Sequence, residues 1–141
     1  AGASAACPGA ARVFDLGRDG VWRQGEELRG PGGPGGPADA FGWACAFAET
    51  SGLPTLVVGA PLAGIGQAQS GAVFIFDLDA GTWRSRGPLL GDASAPGDIF
   101  GGAVAASGSA LLVGAEGAGA AYLFERPFPG GDFVQALPHP A

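Results

Sequence analysis

Residues 98–106 read D-I-F-G-G-A-V-A-A, followed by L-L-V-G-A over 111–115 and A-A-Y-L-F-E over 120–125. The same three phrases occur earlier in the same order: D-A-F-G-W-A-C-A-F over 39–47, L-V-V-G-A-P over 56–61 and A-V-F-I-F-D over 72–77. A partial copy opens the chain, with A-R-V-F-D-L over 11–16 and then Trp22. Phe41 and Phe100 stand 59 residues apart, and Leu56 and Leu111 stand 55 apart, so the drift in the period falls between the matched segments. A repeat of this length sets the architecture before any single residue does, because each copy is one structural unit that buries its apolar face against the next.

The matched segments are short, apolar and bounded by Gly, Pro, Asp or Ser, which is the pattern of strands. Strands are predicted at 11–16, 20–24, 41–48, 55–60, 72–78, 82–86, 100–107, 110–115, 120–126 and 132–137. With 28 Gly and 12 Pro in 141 residues, a helical bundle is excluded. The strands fall in a cycle of four: an F-G strand, a V-G-A strand, a V-F-I-F strand, and a more polar strand with one large aromatic (Trp22, Trp83 or Phe133). Val73, Phe74, Ile75 and Phe76 run without alternation, as a strand buried on both faces does. Arg23, Arg84, Arg86 and Gln135 suit the fourth strand to an outer edge, where charge discourages aggregation.

Four-stranded sheets stacked radially with polar outer strands are the blades of a β-propeller. The expected fold class is all-β, with blades of four antiparallel strands and about two and a half blades present, a partial propeller. Residues 1–10 are then a leader or the tail of a preceding blade strand, and 11–28 the third and fourth strands of a first blade. Residues 41–86 form a complete second blade, 100–137 a complete third, and 138–141 a tail. An open stack leaves blade faces unburied. The chain is therefore expected to be a piece of a longer polypeptide, or else to complete its ring with other chains.

Phe41-Gly42 with Gly59-Ala60-Pro61, and Phe100-Gly101 with Gly114-Ala115, resemble the FG-GAP repeat of integrin α-subunit propellers and related extracellular proteins. The likeness spans roughly residues 11–137, and the second copy has Glu116 where the motif has proline. The resemblance implies a seven-bladed ring in an extracellular or cell-surface protein. It implies a recognition face made by the loops from fourth to first and second to third strands, here 29–40, 87–99, 61–70 and 116–119. It also implies calcium in the hairpin between first and second strands. Those hairpins, 48–54 and 106–109, offer Glu49 and no carboxylate respectively, too few oxygen ligands for a hard cation. No cofactor is expected in these blades, and calcium is left to blades outside the chain.

Seven Arg and no Lys face 13 acidic residues, giving a net charge of −6. That disfavours nucleic acid and anionic membranes as partners, since both need a basic footprint. No run approaches the ~18–20 apolar residues of a membrane span. The opening A-G-A-S-A-A has no basic region and no long apolar core, so a signal peptide is expected to be absent or removed. Without Asn there is no N-glycosylation sequon. Cys45 aligns with Val104 in an inner strand and reads as a buried free thiol. Cys7, in a Pro/Gly loop, could instead bond Cys45 or a cysteine elsewhere.

Asp39 and Asp98 each precede Phe-Gly by two residues and read as turn-shaping acceptors rather than rim ligands. Gly42 and Gly101 read as sites of close backbone approach or unusual φ. Phe14, Trp22, Phe76, Trp83, Phe124 and Phe133 are expected to pack between blades, and Trp43 to fill space near the axis or, as the alternative, to line a pocket there. Glu26 and Glu27 read as solvated edge residues and His139 as a tail residue without metal-ligand neighbours. Ser107 and Ser109 lack a nearby histidine. No catalytic residue and no metal ligand is assigned. The function expected is a non-catalytic extracellular recognition or adhesion module, whose partners are a protein or glycan ligand or neighbouring blades or subunits. The alternatives are a structural component of a surface, cell-wall or filament assembly, and an accessory domain of an extracellular enzyme.

Overall fold

Glycine-bearing turns cut the apolar segments into ten strands in the computed structural model, which describes residues 9–30, 39–50, 52–65, 68–91, 95–125 and 132–138. Cys7, His139, the rest of the leader (1–8) and tail (139–141), loop residues 31–38, 66–67 and 92–94, and the side chain of Phe133 lie outside the described residues. The strands are β1 (Ala11–Leu16), β2 (Trp22–Leu28), β3 (Cys45–Thr50), β4 (Leu53–Ala60), β5 (Ala72–Asp79), β6 (Thr82–Leu89), β7 (Phe100–Ser107), β8 (Ala110–Ala115), β9 (Ala120–Glu125) and β10 (Asp132–Pro138). No helix occurs among the described residues. The fold is all-β, in three antiparallel sheets ordered β1-β2, β3-β4-β5-β6 and β7-β8-β9-β10.

Strands consecutive in the chain are neighbours in each sheet, so each sheet is a simple antiparallel meander. The β5–β6 turn places Ala80 and Gly81 at φ 49° and 81°, the two positive values that a two-residue turn needs to match strand twist. β3 starts at Cys45 rather than at Phe41. Gly42 has φ 90°, and the N–H of Trp43 turns back onto the Ala40 carbonyl at 3.1 Å, so the chain enters the sheet late. In the second copy β7 starts at Phe100 and absorbs the same detour as a bulge between Phe100 and Ala103.

Side-chain parity along the strands divides the core in two. Phe74 and Phe76 of β5 point back toward β1-β2, with Leu56, Val58 and Ala60 of β4, and meet Ala11, Val13 and Leu28 there. Val73 and Ile75 of β5 and Val57 of β4 point forward and meet Leu111, Val113, Ala115, Tyr122 and Phe124. The middle sheet is thus apolar on both faces because each face has a neighbour. Burying a side chain of this size contributes about 1.5–3 kcal/mol.

One joint fastens successive sheets and occurs twice. Gly9 bridges Phe41 in parallel fashion, and Gly71 bridges Phe100 in the same way. A Cβ on Gly9 would lie 2.0 Å from the Phe41 carbonyl oxygen, and one on Gly71 would lie 2.1 Å from that of Phe100. Both glycines have positive φ, 74° and 83°, so space and conformation both demand glycine.

Candidate functional site

The joint gathers loops at one end of the sheets. The main-chain carbonyl of Asp39 accepts the N–H of Leu62 at 3.1 Å, and that of Asp98 accepts the N–H of Gly117 at 3.0 Å. Phe100 N–H donates to Ser70, and Gly97 N–H to Ala68 and Gln69. Segments 61–65, 68–70, 95–99 and 116–119 therefore form one hydrogen-bonded cluster. Ala40 and Ile99, which lead into the two Phe-Gly pairs, have φ of 56° and 58°, a left-handed conformation that costs an L-residue about 1–2 kcal/mol.

The two aspartates use their side chains differently. Asp39 is buried and its Oδ1 accepts the Phe41 N–H at 3.3 Å. Asp98 turns outward along the loop, its Oδ2 accepting the Ala95 N–H at 2.6 Å. Of the motif residues, Phe41, Ala60, Pro61, Phe100, Gly101 and Ala115 are buried, and Gly42 and Gly114 are half-buried. Gly59 is buried against the next sheet, where a Cβ would lie 2.1 Å from the Gly101 carbonyl oxygen.

Several aromatic and thiol placements differ from expectation. Phe76 and Phe124 are buried and Trp83 packs partly against the first core, but Phe14 and Trp22 are 52% and 64% exposed. Phe14 points back from the first sheet, where no further sheet stands among the described residues. Trp22 lies on β2, whose residues are exposed as far as Glu26. Trp43 is 70% exposed and fills no interior space. Cys45 is exposed rather than buried, a free thiol whose pKa is raised by the burial it does have.

The polar groups that hold the sheets escaped the sequence reading. Glu26 is no idle edge residue: its Oε2 accepts the backbone N–H of Trp83 at 3.0 Å, linking the first sheet to the second. Glu27 accepts Arg12 Nε at 2.7 Å and pairs with Arg29, and these two partners hold its carboxyl below the ordinary range. Asp77, 5% exposed, accepts Thr55 Oγ1 at 2.8 Å and Arg86 Nε at 2.7 Å. The signal for it was present in Phe14-Asp15, Phe76-Asp77 and Phe124-Glu125, an acid after the same aromatic in every copy.

Ser107 and Ser109 are exposed in the β7–β8 turn region, away from the loop cluster. Among the described residues no three His, Cys, Asp or Glu side chains gather to hold a metal ion, and no helix is long and apolar enough to cross a membrane. The loop cluster brings main-chain groups, small side chains and the carboxylates of Asp98 and Glu116 together at one end of the sheets. Comparison with known protein families and with curated proteins finds no match for this chain.

Proposed function

We propose that the chain is a non-catalytic recognition or adhesion module, in which the three sheets are blades of an FG-GAP-type β-propeller carried by an extracellular or cell-surface protein. The observation that carries this reading is the duplicated joint. Gly9 with Phe41 and Gly71 with Phe100 give successive sheets the same relation. A fixed relation between sheets, applied again and again, is what radial stacking requires. It also puts every loop of one class at the same end, which favours a ligand that spans several loops, a protein surface or a glycan.

The test is binding of the immobilised chain to a panel of extracellular proteins and glycans. Leu62→Asp and Glu116→Arg, in the loop cluster, should weaken any interaction at least about tenfold, the scale of one interface contact. Ser109→Asp, in the turn at the far end, should leave it unchanged. A panel without a binder, or a binder that responds to Ser109→Asp and not to the loop variants, overturns the reading.

A further inference from the structure

Among the described residues the first sheet has two strands where the other two have four, and the face behind β3 is covered by no strand of it, Phe47 meeting only the Trp83 ring of its own sheet among the aromatic contacts. Trp43 is 70% and Phe47 65% exposed, and Cys45 between them is exposed too. These three alternate with Ala44, Ala46 and Ala48, which are half-buried on the other side, where β7 packs against β3 and β4. The backward faces of β4 and β5 are covered by Ala11, Val13 and Leu28, and that cover does not reach Trp43, Cys45 and Phe47. Beside it, β1 pairs with β2 along one edge, and its other edge meets no strand among the described residues.

We propose that this open slot is a docking site for an antiparallel strand pair, which extends the first sheet at the free edge of β1 and covers Trp43, Cys45 and Phe47. The internal repeat states the chemistry of the occupant. In the sheet β3-β4-β5-β6, Gly59 of β4 pairs with Val73 of β5 and lies under the Gly101 carbonyl. One repeat earlier, Val73 corresponds to Ala11 and Gly101 to Gly42. The occupant's strand next to β1 is therefore apolar and carries glycine opposite Ala11, under the Gly42 carbonyl. Main-chain hydrogen bonds supply affinity in such strand addition, and side-chain fit supplies specificity. A second copy of this chain does not fit. Its complete end sheet has four strands, and β1 and β2 already occupy the places of the outer two. The inference goes beyond the recognition reading, for it needs neither a closed ring nor a ligand at the loop end.

The experiment uses the full chain with Cys7→Ser, which leaves Cys45 as the one thiol. The probe is a synthetic peptide of residues 98–116, the chain's own first and second strands of a complete sheet. Saturating peptide should slow alkylation of Cys45 and amide exchange across β1 by about tenfold or more, as expected when an open edge becomes paired. A peptide with Gly114→Val, which puts a side chain against the Gly42 carbonyl, should do neither. Unchanged alkylation and exchange at saturation overturn the proposal. So does equal protection by the Gly114→Val peptide, or a chain that sediments as a dimer with Cys45 already blocked.

Discussion

The ring of Phe41 stands edge-on to that of Phe76, with centroids 6.1 Å apart and planes at 87°. Phe100 repeats the relation with Phe124 at 6.1 Å and 81°. The phenylalanine of each Phe-Gly pair is thus seated on its own sheet's third strand, in the core shared with the sheet before it. Phe76→Ala and Phe124→Ala should each lower stability by about 3–5 kcal/mol in urea titration. Phe14→Ala, at the equivalent position of the first sheet, should cost less than about 1 kcal/mol, because that ring is already half in water.

Gly71 should tolerate no side chain. Its Cβ would meet the Phe100 backbone at 2.1 Å, and φ is 83° besides. Gly71→Ala should cost about 3 kcal/mol or more, since overpacking and left-handed strain add. Gly52 has φ 77° but open space around it, so Gly52→Ala should cost only about 1–2 kcal/mol. Denaturation midpoints of the two variants separate these effects.

Arg86→Ala strands the Asp77 carboxylate in the core with Thr55 as its remaining partner among those named. The expected loss is about 2–3 kcal/mol, below the figure for a fully buried pair because the guanidinium reaches water. Arg84→Ala should change stability by less than about 1 kcal/mol. Its pair with Asp79, at 3.2 Å, is exposed on both sides.

The β1–β2 turn should keep its ion pair deep into acid. Hydrogen bonds from Arg23, and then from the Val21 N–H, lower the Asp19 carboxyl from 3.8 to about 2. Because the folded value is depressed, the pair's contribution is complete above the ordinary value and is lost as pH falls through about 2. Resonances of residues 17–21 should titrate with that midpoint. A midpoint near 3.8 would mean that the Arg23 contact is not held in solution.

Ala80 occupies a left-handed position at φ 49° between β5 and β6. Ala80→Gly should raise stability by about 0.5–1 kcal/mol, because relief of the Cβ clash outweighs the added freedom of the unfolded chain. Thermal unfolding of the variant checks the sign.

The repeat made the strands legible, since an apolar segment bounded by Gly and Pro reads the same in each copy. It also located Phe41 and Phe100. It could not reveal that Trp43, Cys45 and Phe47 are exposed, because an apolar strand residue looks the same whether or not a neighbouring sheet covers it. The left-handed Ala40 and Ile99 carry no glycine to announce them. Asp77 was hidden by its type: an acid toward the end of a strand reads as surface, and only the placement of Thr55 and Arg86 on the two neighbouring strands makes it an interior anchor.

The parity of β5, with Phe74 and Phe76 turned one way and Val73 and Ile75 the other, has a consequence for symmetry. The surface a sheet presents to its successor differs from the one it presents to its predecessor. Contacts of this kind are heterologous, and no twofold axis can relate them. Growth by such contacts is polar, like laying tiles with a tongue on one side and a groove on the other. It ends either when the rotation closes on itself or when something unlike a sheet stops it.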